Sequence, residues 1–418
     1  MKVCIIGSGG REHALCNAIR FSDKVEEIFC IPGNAGTQAI AKNVNIDIDN
    51  FKLLKKFIDK SNIDIVIIGP EKPLVEGLVD FFEKNKIKVF GPNKIASQLE
   101  GSKIFTKNLC KKYNIPTANF GIFENFLKAQ VFLDQCKFPL VVKADGLAAG
   151  KGVYICETKK QAEEAVDEIF NGKFGKASVV LIEEFLKGEE MSFFVVSDGK
   201  SIKKFGTAQD HKRVGEGDLG LNTGGMGAYS PSRLESNTLD EKILDKIIKP
   251  TLKALDDMNV SFKGFLYAGL MILENEPYLI EYNVRMGDPE CQTILPRLKT
   301  NFFEIVEAVI NKKLDQISLN WHDSKSISIV LCSKGYPEKY ENNKEIKNLN
   351  KIILTDNEYI FHAGTKINNY KILSNGGRVL NFVAKSKSFK KSREAVIKHI
   401  KKLDWKNGFY RKDIGFKV

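Results

Sequence analysis

The chain has 418 residues, of which 43% are hydrophobic and 28% charged, and its formal net charge is +12. This composition is typical of soluble globular proteins, and the length predicts two to four domains. No apolar stretch reaches the ~20 residues of a membrane span, and the basic excess is scattered lysine without an arginine-rich arm, which argues against a membrane protein and against a nucleic-acid partner.

The cellular setting can be predicted from the N-terminus and the cysteines. Residues 2–6 already form an apolar strand, so no signal or transit peptide is expected, and the predicted location is the cytoplasm. The eight cysteines contain no Cys-x-x-Cys pair and are interpreted as buried thiols in a reducing compartment. A monomer is predicted, with a dimer left open.

The first hundred residues alternate apolar strands with helical segments. Strands are predicted at 3–6, 28–31, 63–68 and 89–90, and helices at 12–19, 51–59 and 74–82. This alternation predicts a Rossmann-like parallel sheet covered on both faces. Glu12 stands where a dinucleotide fingerprint has its third glycine, and Pro32 stands in place of the usual acid, so no NAD site is expected. Gly9, Gly10 and Asn34 at the strand ends are predicted to bind a substrate phosphate or sugar.

A glycine-rich loop dominates the next unit. Residues 140–152 read LVVKADGLAAGKG, and strands at 140–143, 153–156 and 179–184 with a helix at 161–170 are predicted around it. Glycines let backbone N–H groups approach an anion, and Lys143 and Lys151 supply positive charge, so the segment predicts a nucleotide-phosphate loop. It is not a P-loop, because Gly152 stands where the magnesium-binding Ser or Thr belongs.

A second motif offers ligands for the magnesium ion, which the glycine loop cannot bind without a Ser or Thr. Residues 278–285 read YLIEYNVR, and on a strand Glu281, Asn283 and Arg285 share one face. Carboxylate and amide oxygens suit a hard cation that is bound mainly through ATP phosphates. The preceding strand offers no further acid at 269–272, so ATP oxygens and water would complete the coordination shell.

The remaining segments complete the secondary structure. The strands at 264–273 and 278–284 are predicted to form a hairpin closed by Asn275 and Pro277. From residue 326 onward, strands are predicted at 326–331, 359–362 and 378–384, with a helix at 392–400.

The lysine loop together with the Glu-x-Asn strand resembles the ATP-grasp ligases, and further motifs narrow the resemblance to the phosphoribosylamine–glycine ligase family, also called glycinamide ribonucleotide synthetases. The motifs are GSGGREHA (7–14), GNAG (33–36), GPE (69–71), EGSK (100–103), QDHKR (209–213), NTGGMG (222–227), GDPE (287–290) and RKDIG (411–415). Their order and spacing fit the family from end to end. Leu221 and Met286 depart from the usual residues and affect local packing.

The resemblance implies an α/β chain of three domains. A Rossmann-like substrate domain would span 1–103, and a two-lobed ATP-grasp domain would span 104–325 with a mobile α+β lid at about 116–190. A small C-terminal α/β domain would span 326–418.

The resemblance also implies an activity. The enzyme would use ATP to ligate glycine to 5-phosphoribosylamine, giving glycinamide ribonucleotide, ADP and phosphate, which is the second step of de novo purine (IMP) biosynthesis. Glycyl phosphate would be the intermediate, and Mg²⁺ or Mn²⁺ the metal. No covalent enzyme intermediate is needed, which fits a sequence without a nucleophile elbow or Cys–His signature.

Individual roles follow from the matched motifs. The nucleotide would contact Lys103, Lys143, Gly150, Gly152, the hinge Glu183, Glu184, Phe185 and Leu186, and, through its ribose, Glu190. The substrates would contact Gly9, Gly10, Asn34, Glu71, Asp210, His211, Arg213, Arg285, Gly287, Asp288, Glu290 and Arg378. The catalytic residues would be Arg285, Lys143 and Asp288, and the metal ligands Glu281 and Asn283.

Alternatives stay open at several positions. Lys103 opens a helix, Lys151 could be a solvated loop lysine, Glu189 could take the place of Glu190, and Arg378 could belong to an ordinary hairpin turn. The rival functions are another ATP-grasp ligase and a nucleotide-binding regulator without turnover. The motifs at 210–213 and 287–290 argue against the first, and the intact lysines and metal ligands argue against the second.

The glycine loop generates one prediction that needs no structure. Its glycines suit a segment that becomes ordered around phosphates, and few of its apolar residues could dock it without ATP. We therefore expect hydrogen exchange across residues 144–152 to slow strongly with ATP and magnesium and little with glycine alone. Equal protection with and without nucleotide would show a preformed loop.

Overall fold

A computed structural model describes residues 1–147, 152–174 and 179–418 of the chain. Predicted contacts of Gly150 and Lys151 lie outside these described residues.

The N-terminal part is a five-stranded parallel sheet, as predicted. Its elements are β1 (Lys2–Gly7), α1 (Gly10–Ile19), β2 (Glu27–Pro32), β3 (Lys42–Asn43), α2 (Phe51–Ser61), β4 (Ile65–Ile68), α3 (Glu71–Glu76), α4 (Leu78–Lys84), β5 (Val89–Phe90), α5 (Gln98–Gly101) and α6 (Lys103–Tyr113). The strand order is β3-β2-β1-β4-β5. The single helix predicted at 74–82 is instead two helices, because Gly77 has a φ of +95° and interrupts the turn.

The lid is a separate α+β layer, also as predicted. It consists of β6 (Phe120–Phe123), α7 (Phe126–Leu133), β7 (Leu140–Ala144), β8 (Val153–Cys156), α8 (Lys159–Phe170) and β9 (Val180–Glu184). The strands form an antiparallel sheet in the order β6-β9-β7-β8. Apolar residues of α7 and α8 pack on this sheet and give the lid its own core.

A nine-stranded sheet forms the larger half of the molecule. Its first strands and the adjoining elements are β10 (Glu189–Asp198), β11 (Ile202–Asp210), β12 (Arg213–Gly215), β13 (Leu219–Asn222), β14 (Gly227–Ser230), α9 (Asn237–Ile243), α10 (Lys249–Asp256), β15 (Lys263–Leu273), β16 (Glu276–Asn283), α11 (Glu290–Ile294) and α12 (Phe302–Ile310). The C-terminal elements are β17 (Lys325–Ser333), β18 (Glu358–His362), β19 (Thr365–Asn368), β20 (Lys371–Ser374), β21 (Arg378–Ser386), α13 (Phe389–Ile400) and β22 (Gly408–Phe409).

The C-terminal strands extend this sheet. The order is β16-β15-β10-β11-β14-β17-β21-β18, with β22 also paired to β17, and the paired strands are antiparallel. The β14–β17 pairing therefore joins the C-terminal part of the chain, from residue 325 onward, to the ATP-grasp part through backbone hydrogen bonds. Among the helices in the described part of the chain, none combines the length and apolar character needed to cross a membrane.

A bulge in the β15–β16 hairpin decides which side chains of β16 lie on the same face as Glu281. Glu281 pairs with Gly269, but Leu279 already pairs with the next residue, Leu270, so Ile280 is an extra residue. The bulge shifts the alternation of side chains, so that Leu279 and Tyr282 are both buried in the core although they are three residues apart.

The turn of this hairpin contains two residues, Glu274 and Asn275, with φ values of +49° and +63°. Asn275 lies in the turn as predicted, whereas Pro277 lies inside β16 opposite Ile272. A two-residue turn with both φ angles positive is type I′, which favours asparagine and glycine because other L-residues are strained there.

The turn geometry predicts the effect of a substitution. Glu274→Asn should raise the free energy of unfolding by about 0.5 to 1 kcal/mol, because asparagine adopts a positive φ at a lower cost than glutamate. Glu274→Val is the matched control and should lower it, because a β-branched side chain is more strained at this φ. Urea titration of the three proteins provides the comparison, and equal midpoints would contradict the turn assignment.

Candidate functional site

Two lysines from different elements are the predicted phosphate ligands. Lys103 is the first residue of α6, whose N-cap Ser102 accepts a hydrogen bond from Phe105 N, and Lys103 Nζ donates to the Gly146 carbonyl oxygen (2.9 Å). Burial lowers the pKa of Lys103, while the Glu281 carboxylate acts in the opposite direction and the positive charge of Lys143 lowers it further. The two predicted phosphate lysines thus lie near each other and near the predicted metal ligand.

Lys143 makes a buried ion pair that the sequence did not predict. At the end of β7, its Nζ donates to Glu183 Oε2 (2.9 Å), and the exposed fractions of the two side chains are 5% and 4%. Glu183 Oε1 lies 3.2 Å from the Nζ of a second buried lysine, Lys107. Lys107 Nζ also donates to Thr117 Oγ1 (2.5 Å), which in turn donates to the Leu279 carbonyl oxygen (2.6 Å).

The predicted hinge follows directly after this ion pair. Glu184 ends β9, and its carboxylate accepts hydrogen bonds from the Asn119 backbone (2.9 Å) and side chain (3.0 Å). Phe185 and Leu186 come next and are half-buried. On the other strand of the loop, Gly152 contributes its carbonyl oxygen to a hydrogen bond from Ala144 N (2.9 Å).

The structure distinguishes Glu190 from Glu189. Glu190 Oε2 accepts a hydrogen bond from Lys212 Nζ (2.6 Å), and the charge of Glu281 also acts on Lys212. Glu189 points the other way, towards Arg233 and Gln209. Glu190 therefore lies on the face of the sheet that carries Glu281.

Glu281 is poised as an anionic ligand. Burial by itself would raise the pKa of its carboxyl, but four nearby cations outweigh burial and lower the pKa. These cations are Lys212, Lys143, Lys103 and Arg285. Asn283, two residues further along β16, shares its face, so one carboxylate and one amide are available to a hard cation.

The metal site would depend on the nucleotide. In the ranges 1–147, 152–174 and 179–418, no group of three or more His, Cys, Asp or Glu side chains could hold a metal by itself. A cation at Glu281 and Asn283 would need oxygen atoms from ATP and water, as Mg²⁺ in phosphate-binding sites commonly does.

Arg285 is held by two carboxylates from the N-terminal part. Its Nη2 donates to Glu100 Oε1 (2.7 Å), and its Nε lies 3.2 Å from Glu71 Oε2. The other oxygen of Glu100 accepts Val284 N (2.8 Å). Burial raises the pKa of Glu100 to about 7, whereas the charge of Arg285 lowers the pKa of Glu71 to about 2. Much of the Arg285 charge is therefore balanced within the protein.

A cleft of about 480 Å³ lies beside Asp288, three residues after Arg285. Its walls come from all three parts of the chain, with Gly9 and Arg11 from the N-terminal sheet, Asp288 from the segment before α11, and Arg378 from β21. Asp288 Oδ2 accepts Arg11 N (3.2 Å), and Arg378 Nη1 lies 3.4 Å from Asp288 Oδ1. The charges of Arg378 and Arg11 outweigh burial and lower the pKa of Asp288. Arg378 therefore lines the cleft and forms an ion pair with Asp288.

Some predicted contacts are constrained by packing. Asn34 uses its amide to donate to the Ser8 and His362 carbonyl oxygens (both 2.8 Å) and to accept Gly36 N (2.8 Å), which leaves it no free direction towards a substrate. At Gly10, an added Cβ would lie 2.4 Å from Asn381 Nδ2, so this glycine permits close packing of α1. Gly287 similarly leaves room for Glu290.

Asp210 and Glu290 belong to a second buried polar group. Burial raises the pKa of Asp210 to about 7, Lys212 opposes that change, and the charge of Glu290 adds to it. Ser192 Oγ donates to Tyr267 OH (2.9 Å) and lies 3.4 Å from Glu290 Oε1. The DHKR and GDPE motifs are therefore neighbours in space.

The structure does not bring His211 and Arg213 into this group. The buried His211 ring packs against Tyr229 and Phe416, with ring centroids 5.9 and 6.2 Å apart, and burial lowers its pKa to about 4. Arg213 Nη1 donates to the Gly220 carbonyl oxygen (2.7 Å) in the β12–β13 ribbon. The predicted substrate contacts of both side chains have no support in this arrangement.

Sequence reasoning missed several residues of the site. Lys107 could have been suspected, because it lies one helical turn after Lys103 and so shares its face of α6. Lys212 and Glu100 belong to motifs that the sequence displayed, but their partners, Glu190 and Arg285, are distant in the chain. No local pattern could have supplied those pairings.

Three models of one protein family match this chain, and its relatives align with it over its whole length. The family models of phosphoribosylglycinamide synthetase match in order, with the N domain at residues 1–100, the ATP-grasp (A) domain at 101–291 and the C domain at 326–417. A phosphoribosylamine–glycine ligase of Brucella melitensis is 45% identical over 419 residues, covering 100% of this chain and 98% of the relative. The ligase of Caldanaerobacter subterraneus is 44% identical and covers 99% of both chains.

Solved structures show the same relationship. The phosphoribosylamine–glycine ligase of Thermotoga maritima superposes with a TM-score of 0.87 at 32% identity, covering 99% of this chain and 100% of that one. The biotin carboxylase domain of Hydrogenobacter thermophilus 2-oxoglutarate carboxylase has a TM-score of 0.73 at 15% identity, covering 98% of this chain and 91% of that one. The second match shows a shared fold alone.

Proposed function

This chain belongs to the phosphoribosylglycinamide synthetase family, and we infer that it uses ATP to join glycine to 5-phosphoribosylamine. The products are glycinamide ribonucleotide, ADP and phosphate, and the reaction is a step of purine biosynthesis catalysed by an ATP-dependent C–N ligase. One observation carries the assignment. Arg285 lies near Glu281 and its surrounding lysines, and Asp288, three residues later, lines the cleft, so the proposed ATP site and the proposed substrate cleft are adjacent.

The nucleotide occupies the side between the lid and β16. Lys103 and Lys143 bind its phosphates, the segment Glu183, Glu184, Phe185 and Leu186 holds its base, and Glu190 holds its ribose. The buried position of Lys143 and the half-buried position of Lys103 support this role, because an ammonium group in a site of low dielectric constant interacts strongly with phosphate. The predicted contributions of Gly150 and Gly152 complete the phosphate loop.

Glu281 and Asn283 would hold Mg²⁺ or Mn²⁺. The cations around Glu281 keep it ionised, and its position beside the phosphate lysines supports a metal that is shared with ATP. Such an ion supplies charge neutralisation at the phosphates. The two protein ligands orient the site, and the lysines provide the remaining positive charge.

The cleft receives phosphoribosylamine. Arg378 and the backbone around Gly9 face the space where its 5′-phosphate would lie, and Asp288, Glu290 and Asp210 face the amine. Glu71 acts through Arg285 rather than by touching a substrate, since the two already form an ion pair. The low pKa of Asp288 supports an ionised carboxylate that accepts a hydrogen bond from the amine.

The chemistry proceeds through glycyl phosphate. A carboxylate oxygen of glycine attacks the γ-phosphorus of ATP, ADP leaves, and the Lys103, Lys143 and Arg285 charges offset the charge on the transferred group. The phosphoribosylamine nitrogen then attacks the acyl carbon, phosphate leaves, and the nitrogen loses one proton. Enclosure by the lid would protect the acyl phosphate from water.

The place of this reaction in purine biosynthesis supports a cytoplasmic location. A monomer remains the proposed state, with a dimer as the alternative. Of the rival functions, another ATP-grasp ligase would not require both substrates, and a regulator would not turn over. ADP release measured with and without each substrate tests the proposal, and release that does not need both glycine and phosphoribosylamine would refute it.

The phosphate lysine leads to a first kinetic prediction. Lys143→Ala should raise the KM for ATP and lower kcat, each by roughly tenfold or more, because it removes a charge from the phosphates and leaves Glu183 with one partner fewer. Lys160→Ala, which changes an exposed lysine of α8, is the control and should behave like the wild type. Wild-type kinetics of Lys143→Ala would remove Lys143 from the site.

The metal ligand leads to a second prediction. Glu281→Ala should lower kcat by roughly a hundredfold at low magnesium, and excess magnesium should restore part of the rate, because a ligand is lost while the ATP oxygens remain. Glu276→Ala on the same strand removes only surface ion pairs with Lys242 and Lys246 and should leave the rate unchanged. A loss that no magnesium concentration relieves would argue against metal ligation by Glu281.

A further inference from the structure

Lys107 is a buried lysine to which the proposed mechanism gives no task. It lies in α6 four residues after Lys103, and its side chain is 3% exposed. Its Nζ lies 3.2 Å from Glu183 Oε1 and donates to Thr117 Oγ1. A buried ammonium is costly unless it is paired, so this position needs an explanation.

Glu183 stands between two lysines. One oxygen faces Lys107 and the other faces Lys143, so two ammonium groups share one carboxylate. The geometry of the contact with Lys107 is ionic, because Glu183 Oε1 receives no hydrogen bond from the described residues. This small buried group therefore carries one positive charge more than its carboxylate can balance.

From this arrangement we propose that Lys107 is a positioning residue that frees Lys143 for the phosphates of ATP. When Lys143 turns from Glu183 to a phosphate, Glu183 keeps Lys107 as its partner, and no carboxylate is left buried without a counter-charge. Without Lys107, the same movement would leave the Glu183 carboxylate buried without a counter-charge. Lys143 would therefore stay paired with Glu183. The extra positive charge also favours the arrival of an anion.

Lys107 has a second bond that anchors it, whereas Glu183 is the only side chain that accepts a hydrogen bond from Lys143 Nζ among the described residues. Lys107 is tied through Thr117 to the Leu279 carbonyl oxygen of β16, and Leu279 N donates to the Pro116 carbonyl oxygen (2.8 Å). Lys107 is thus linked through hydrogen bonds to the strand that carries Glu281. Lys143 lies on the lid strand β7, next to the glycine loop.

Nucleotide binding by Lys107→Met tests the proposal. Methionine keeps the length and apolar stem of lysine, so the charge and the hydrogen bond to Thr117 are removed while the packing of the stem is kept. Calorimetry should show that the Kd for ATP with magnesium rises on the order of tenfold or more, whereas the Kd for adenosine stays within about twofold, because adenosine has no phosphate to attract Lys143. The KM for ATP should rise and the KM for glycine should not. Lys111→Met, one helical turn further and exposed, is the matched control.

The effect of Lys107→Met in a Glu183→Gln protein distinguishes a role through the charge of Glu183 from a purely structural role of Lys107. If Lys107 acts through the charge of Glu183, Lys107→Met should have almost no effect on ATP binding when Glu183 is already Gln. The comparison of Glu183→Gln with the double variant also decides the question if Lys107→Met alone fails to fold. A further loss of ATP affinity in the double variant, or an equal loss for ATP and adenosine in Lys107→Met, would overturn the proposal.

The inference rests on the proposed ATP site, and the two can fail separately. A wild-type protein that does not bind ATP would refute the proposed function. A wild-type protein that binds ATP, with Lys107→Met indistinguishable from Lys111→Met, would refute the inference alone.

Discussion

Buried charges in this protein are balanced by charges from distant parts of the chain, and the relative positions of the parts depend on that balance. Arg285, just after β16, lies between Glu71 and Glu100 of the N-terminal part. Asp288 lies beside Arg11 and Arg378, which come from opposite ends of the chain. Removing one partner would leave a desolvated charge, so these pairs act as constraints on assembly more than as sources of net stability.

The same constraint shapes the site chemically. Lys103, Lys143 and Lys212 lie around Glu281, and in the proposed function this group of cations attracts a polyphosphate. A substrate that brings its own anions can enter such a region without a large desolvation cost for the protein. In the proposed function, a ligand that carries phosphates is therefore favoured over one that lacks them before any contact with the base is considered.

The sequence was sufficient for features that are set locally. The parallel N-terminal sheet and the lid strands followed from apolar runs, and the Glu-x-Asn strand followed from a spacing of two. The bulge at Ile280 could not be predicted, because it depends on the register with β15. Nor could the partner of Lys143: the sequence indicated a phosphate, and the structure adds Glu183, which is 40 residues away. Asn34 and His211 look like ligand residues in a motif, but packing commits both side chains to the protein interior.

Glu12 occupies the first βα turn at the place where a dinucleotide-binding turn has a glycine. Its Oε2 accepts the Gly9 N–H (2.6 Å), and its Oε1 pairs with Arg11 Nε (2.6 Å). A Cβ added at Gly69 would lie 2.0 Å from Glu12 Oε1, so the carboxylate fills the space between the ends of β1 and β4. In a dinucleotide-binding turn, a pyrophosphate would use these N–H groups. Here an internal carboxylate has taken that place, so the proposed phosphate site lies further out in the cleft, where Arg378 supplies a positive charge.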